Sequence, residues 1–232
     1  MSLTHEAAGG RVTLGLALLS FAAGSTDAIA FLALENVFTS AMSGNTVLLG
    51  VAIGRGDFDA ALHSFAALFG FMTGVSLASL AFAKSGRGSG WALGLEASFL
   101  AVFAALWLWV DDPVRSPGVY GFIVISAVAM GLQGGIGRKI GVPGIMTVIF
   151  TSTYTAIVSD LIERTLTGRR PLLTTLAAQQ LTTLVVYLAS AVVGGVVATH
   201  WFRAAPLMPL AAVMVVLGGR LLHLFRFDPQ RP

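Results

Sequence analysis

The stretch Val12–Leu34 carries a single charge, Asp27. An ionised carboxylate at bilayer depth costs about 2.5–3.5 kcal/mol even on insertion scales, so an intramembrane aspartate marks a functional site by default. Asp27 is suited to bind a cation or a substrate amine, or to carry a coupling proton. The structural alternative is a carboxylate bonded to Ser25, Thr26 or the backbone of a broken segment nearby. A second cluster follows in Ser40, Ser43, Asn45 and Thr46. A segment that breaks inside the membrane frees backbone N–H and C=O groups, which must be met by protein groups or line a cavity. Gly44 permits such a break, and Asn45 both donates and accepts. A third cluster, Thr151, Ser152, Thr153, Tyr154 and Thr155, repeats the string Phe-Thr-Ser of residues 38–40 at 150–152. It is expected to mirror the second, unless its hydroxyls only bond helices together.

Other polar residues in apolar surroundings read less sharply. Gln133 joins the candidate binding residues, although interhelical hydrogen bonding is its more common use, and the same holds for Gln179 and Gln180. Glu96 is expected to snorkel to the interface or pair with Lys84 or Arg87, with a proton relay as the alternative. Asp160, Glu163 and Arg164 read as a surface pair network. No His-Glu-x-x-His, nucleotide loop or Gly-x-Ser-x-Gly is present, and the chain has no cysteine. Ser43-Gly44 is similar to the Gly-x-Ser-Gly of rhomboid-type intramembrane proteases, but Ala41 stands at the first position. His63 and His200 fall near span ends, so a base within reach of Ser43 is lacking. Neither a cofactor nor a metal site is expected.

These residues need elements to hold them, and the composition says which. The 232 residues are 56% apolar and 11% charged, against about 25% charged in a soluble domain. A nucleic-acid module, a disulfide scaffold and a disordered chain are excluded. The reading is a polytopic α-helical membrane protein forming one domain over residues 1–232. Eight apolar segments stand out: Val12–Leu34, Asn36–Gly54, Ser64–Ala83, Trp91–Val110, Gly118–Gly137, Ile140–Ser159, Pro171–Phe202 and Ala204–Gly219. Short Gly- and Pro-rich loops separate them. Arg11 and the apolar run ending Ala28-Ile29-Ala30 have the outline of a signal peptide, but Asp27 in the cleavage region argues for retention.

Loop charge decides how many segments cross. If all eight cross, nine Lys and Arg lie inside and five outside; if Asn36–Gly54 and Ile140–Ser159 are re-entrant, eleven lie inside and only Arg55, Arg115 and Arg203 outside. The positive-inside rule favours six spans with both termini in the cytoplasm. Residues 1–112 and 113–232 then form two halves of three spans each, inverted in the membrane, an architecture of secondary transporters with a midplane site. Glycine pairs at four-residue spacing, Gly50/Gly54, Gly70/Gly74, Gly131/Gly135 and Gly137/Gly141, are expected to let helices approach. Trp91, Trp107, Trp109, Tyr120 and Trp201 read as interfacial anchors.

The stretch Gly24-Ser25-Thr26-Asp27-Ala28, followed by Phe38 to Gly50 with Met42-Ser43-Gly44-Asn45 inside it, resembles the YoaK-like family of bacterial integral membrane proteins, the domain of unknown function numbered 1275. The family carries an Asp in its first span and a Met-(Thr/Ser)-Gly-Asn motif soon after. A second family element resembles Thr151–Thr155, where Ala156 and Ile157 depart from its Gly-Asn. The resemblance extends over nearly the whole chain. It implies a bacterial inner-membrane protein of about six spans and no established activity.

The expected function is a carrier or channel-like protein for a small polar solute or ion in the bacterial inner membrane. Asp27 would be its centre, with Ser40, Ser43, Asn45, Thr46, Gln133, Thr151, Thr153, Tyr154 and Thr155 around it and Gly24 and Gly44 as structural glycines. The partners are the lipid bilayer and the solute, with homo-oligomerisation left open. A hydrolase using Ser43, or a membrane assembly protein that transports nothing, is the alternative.

Overall fold

The structure is a computed structural model that describes residues 2–84, 88–113, 118–140 and 150–225. Among the described residues eight α-helices follow one another: α1 Ser2–Ala33, α2 Met42–Arg55, α3 Phe58–Lys84, α4 Gly88–Trp109, α5 Val119–Ile140, α6 Phe150–Thr167, α7 Thr175–His200 and α8 Leu207–Leu221, the last preceded by a 3-10 turn at Phe202–Ala204. Their ends follow local chemistry. Asp57 Oδ1 accepts the Ala60 N–H at 3.1 Å at the start of α3. Thr174 Oγ1 accepts the Ala177 N–H at 3.1 Å at the start of α7. Gly56 closes α2 in the left-handed region, φ 71°.

Among the described residues six helical stretches are long and apolar enough to cross a membrane: Val12–Ala33, Phe58–Lys84, Gly88–Trp109, Val119–Lys139, Thr175–His200 and Phe202–Leu221. The two left over are those set aside by the charge count. At 14 residues α2 is about 21 Å long, short of a bilayer core of about 30 Å. Helix α6 carries Asp160, Glu163 and Arg164 among its 18 residues. The protein is therefore a multi-pass membrane protein in contact with lipid.

The pairing of the spans repeats. The most extensive contacts are α3 with α5 and α1 with α7; α4 with α5 and α1 with α8 come next among the spans. Burial repeats too: 67% and 78% in α1 and α5, 22% and 28% in α3 and α7, 44% and 39% in α4 and α8. Helices α1 and α5 are the axis of the bundle, and α3 and α7 turn most of their surface to lipid.

Glycine makes the tightest pairing. A methyl group at Gly131 would run into the Phe71 carbonyl, one at Gly74 into the Val128 carbonyl, and one at Gly135 into the Ala78 side chain. The Gly70/Gly74 and Gly131/Gly135 pairs thus bring α3 and α5 into backbone contact, as their spacing predicts. Gly50 and Gly54 depart from that expectation, since nothing lies within 4 Å of a methyl group at either. They sit on a face of α2 that no helix among the described residues covers. Gly141 lies outside the described residues.

Two apolar cores fill the bundle. One gathers Leu16, Leu19, Leu93, Leu100, Met130, Leu132, Val213 and Val216 toward the end where α1 enters. The other gathers Ile29, Leu34, Phe103, Trp107, Phe122 and Ile123 toward the far end. Trp107 is a correction to the anchor reading: it is 1% exposed, and its Nε1 donates to the Phe202 carbonyl at 3.1 Å. Its indole completes the far core against Phe122 and Phe202. Trp91, Trp109 and Trp201 are exposed near helix ends, as anchors are.

Candidate functional site

Asp27 sits between the two cores, 3% exposed. After α1 the chain turns sharply at Glu35 and Asn36, both at φ 59°, a left-handed conformation that non-glycine residues rarely adopt. It then returns as a non-helical stretch of residues 37–41 before α2 begins. A stretch without helical hydrogen bonds at this depth needs other partners, and side chains supply them. Asp27 Oδ1 accepts the Thr39 N–H at 2.7 Å, the Thr39 hydroxyl at 2.9 Å and the Ser40 N–H at 2.8 Å. Asp27 Oδ2 accepts the Ser40 hydroxyl at 2.5 Å and the Tyr187 hydroxyl of α7 at 2.6 Å. One carboxylate thus ties together α1, the broken segment and α7.

Asn45 holds the preceding residue in the same manner. Its Oδ1 accepts the Phe38 N–H at 2.9 Å and its Nδ2 donates to the Phe38 carbonyl at 2.5 Å. Gly44 lets the Phe38 ring come close to α2, because a methyl group there would stand 3.0 Å from the ring. The same ring stacks on Phe31, centroids 5.1 Å apart. The string Met42-Ser43-Gly44-Asn45 is therefore a device for docking residues 38–40, with Asp27 as its opposite jaw.

The candidate residues divide. Asp27, Ser40, Asn45 and Gly44 meet at this clamp, and Gly24 lies beneath it, where a side chain would strike the Tyr187 carbonyl and Ser190. Ser43 and Thr46 are exposed, and the Thr46 hydroxyl bonds the Met42 carbonyl of its own helix at 2.9 Å. Ser25 and Thr26 also bond their own helix rather than Asp27. In the mirror segment Thr151, Tyr154 and Thr155 are exposed, and Thr155 bonds Thr151 within the helix. Thr153 is buried, with no hydrogen-bond partner among the described residues. The mirror segment reaches the clamp through Phe150, whose ring stands edge-on to Tyr187 at 4.7 Å. Gln133 lies elsewhere, bonded through Nε2 to the Leu19 carbonyl of α1 at 2.9 Å. Gln179 bonds Thr13 across the same pair of helices that carries Tyr187 and Asp27.

Glu96 contradicts its sequence reading. Helix α4 starts at Gly88, so Glu96 lies more than two turns inside, 0% exposed, and neither oxygen has a partner among the described residues. It neither snorkels nor pairs with Lys84, which is exposed at the end of α3; Arg87 lies outside the described residues. Asp160 and Arg164 do pair, at 2.8 Å, while Glu163 pairs with Arg169 at 3.2 Å. Among the described residues no group of three or more His, Cys, Asp or Glu is placed to hold a metal.

Two clamp residues were not among the sequence candidates. Tyr187 has a visible signal, a phenol in the middle of the apolar run of α7. Thr39 lies inside the Phe-Thr-Ser string, where only its neighbour Ser40 is a sequence candidate.

The profile described as "Protein of unknown function (DUF1275)" matches residues 15–219, which include every residue of the clamp. The UPF0700 transmembrane protein YoaK of Bacillus subtilis (strain 168) is 36% identical over 156 residues, which span 64% of this chain and 67% of that one. No solved structure matches. The chain belongs to the DUF1275 family of proteins of unknown function.

Proposed function

We propose that this protein is a secondary carrier of a small polar solute or ion, built from two inverted halves in the bacterial inner membrane with both termini in the cytoplasm. The observation that carries the reading is the Asp27 clamp. Four of the five donors on Asp27 come from Thr39 and Ser40, in the same half of the chain. The fifth, the Tyr187 hydroxyl, comes from the other half. Rocking one half against the other must break this bond, and breaking it leaves Oδ2 with the Ser40 hydroxyl alone. A cation or an amine is the ligand that takes the lone pair given up by Tyr187. The broken segment held against Asp27 is the kind of backbone from which midplane sites of transporters are made. The repeated pairing of α1 with α7 and of α3 with α5 supports two related halves.

One observation favours a second reading. A carboxylate has about four lone-pair sites, and here Asp27 has five donors on it, so it needs no ligand to be satisfied. A membrane protein that transports nothing would use the same clamp as a fixed joint.

The purified chain in proteoliposomes decides between them. Currents are recorded on a solid support for a panel of alkali cations, amines and amino acids. A wild-type current that Asp27→Asn abolishes, with that variant still monodisperse and helical, is the expected result. Full current in Asp27→Asn at every pH would sink the carrier role of Asp27. An Asp27→Asn chain that no longer folds, with no current from the wild type, would establish the fixed joint.

A further inference from the structure

We propose that Glu96, with Gln133 beside it, is a proton-binding site: a neutral carboxylic acid in the closed bundle that releases its proton to cytoplasmic water only when α4, α5 and α8 part. Glu96 and Gln133 are 0% and 3% exposed. Both oxygens of Glu96 and the Oε1 of Gln133 have no partner among the described residues. An ionised carboxylate with no donor is not stable in such a place, because burial of an unpaired charge costs far more than burial of the acid. A neutral acid brings one O–H donor, and the vacant amide oxygen of Gln133 is its natural acceptor.

Helix register sets the two at one level. Helices α4 and α5 are consecutive spans joined by a short loop, hence antiparallel. Phe103 and Trp107 of α4 both stand against Phe122 of α5, with ring centroids 5.9 and 5.7 Å apart. Counted from the Trp107–Phe122 contact, Glu96 and Gln133 both lie about three turns further along their helices. Around them the core is aliphatic: Leu93, Leu100, Leu132, Val213 and Val216. The charged groups on the helices packed against α4 lie elsewhere. Lys84 ends α3, and Asp59 and His63 open it; Arg138 and Lys139 end α5. On α8 the Arg220 guanidinium lies against Gly90, six residues and about 9 Å along the α4 axis from Glu96. It is the first cation a parting bundle would bring near an ionised Glu96. Gln133 also donates to the Leu19 carbonyl of α1, two turns before Asp27 on the same helix. The proton site and the clamp thus share α1.

The step is a simple dissociation. The Glu96 O–H bond breaks, the electron pair stays on the carboxylate, and the proton passes to water admitted by the opening. On reclosure a proton from the same water neutralises Glu96 again. The coupling part of this inference rests on the carrier reading; the proton site does not.

Two measurements separate them. The first is infrared titration of the whole chain in nanodiscs, with carboxyl-labelled glutamate, of which the chain has four. Expected are a protonated carboxylic C=O band at pH 7 that Glu96→Gln removes, that Gln133→Leu shifts in frequency, and that alkaline pH bleaches. Absence of the band, or its survival in Glu96→Gln, overturns the proton site. The second needs no solute. The buried Val213 is replaced by Cys in this cysteine-free chain, and its labelling by a permeant maleimide is followed against pH. Labelling in the wild-type background is expected to rise with pH at least tenfold more steeply than in Glu96→Gln. Equal slopes in the two backgrounds overturn the link between proton release and opening, while leaving the infrared result and the Asp27 flux test to stand or fall separately.

Discussion

The α1/α7 and α3/α5 interfaces have the same backbone geometry and opposite chemistry. In α3/α5 a side chain at Gly131 would meet the Phe71 carbonyl, and one at Gly135 the Ala78 side chain. In α1/α7 a side chain at Gly24 would meet the Tyr187 carbonyl, and one at Gly194 the Ala28 side chain. Superposed by these contacts, Phe71 falls on Tyr187 and Gly134 on Asp27. The tip of the Phe71 ring indeed reaches Gly134, where a methyl group would stand 3.1 Å from it. A phenol on a carboxylate in one interface corresponds to a benzene ring on bare backbone in the other. Close helix packing therefore does not dictate the polar clamp. The clamp is added to one of two similar seams, and the seam without it has only packing to hold it. We take α3/α5 as the hinge and α1/α7 as the seam that parts.

Overfilling the apolar seam is expected to have the largest effect. Gly74→Val drives a branched side chain into the Val128 carbonyl and the Leu132 N–H. Backbone cannot move aside as a flexible side chain can, so a loss of about 3 kcal/mol or more is expected. Loss of the monodisperse peak in detergent chromatography checks it; an intact Gly74→Val protein would mean that this seam is not closely packed.

Exchanging the chemistry of the seams comes next. Tyr187→Phe removes one bond to a charged group, worth about 1.5–3 kcal/mol, and makes α1/α7 resemble its counterpart. Phe71→Tyr puts a hydroxyl where Gly134 offers it no side-chain partner, and an unsatisfied buried hydroxyl costs about 1–3 kcal/mol. Both variants are expected to lower the thermal midpoint, but only Tyr187→Phe to change transport. Equal changes in transport would erase the distinction between hinge and seam.

The smallest perturbation tests which way the bundle sits in the membrane. Asp59→Cys and Lys84→Cys lie at opposite ends of α3. In intact cells an impermeant reagent is expected to label residue 59 and spare residue 84. The reverse pattern would turn the bundle over and place the termini outside.

The six spans were legible in the sequence because uncharged runs and loop charges are additive signals that need no tertiary contact. The broken segment was legible for a related reason: Phe38 to Asn45 concentrates hydroxyls, glycine and an amide where an apolar run should be. The partners of Asp27 were not, since Tyr187 is 160 residues away in sequence and joins it only through the α1/α7 pairing. Ser43, Thr46, Thr151, Tyr154 and Thr155 have the right chemistry on helix faces that point away, and a short helix gives no periodic signal strong enough to say so. Glu96 was misjudged for a specific reason. Its depth depends on α4 beginning at Gly88, and Ser85-Gly86-Arg87-Gly88-Ser89-Gly90 reads as a loop by composition. The glycine pairs show the same limit: Gly131/Gly135 finds a partner in α3, Gly50/Gly54 finds none, and their spacing is identical.

The central claim, that α1/α7 parts while α3/α5 holds, is tested most directly by bridging each seam at matching positions. A methyl group at Gly194 would stand 3.2 Å from the Ala28 Cβ, close to the Cβ separation of about 3.5–4.5 Å in a disulfide. Gly135 and Ala78 are the corresponding pair in the other seam. Ala28→Cys with Gly194→Cys, oxidised in proteoliposomes, is expected to stop the current carried by the wild type and to recover it on reduction, while Ala78→Cys with Gly135→Cys leaves it running when oxidised. A current that survives the first bridge would contradict the account.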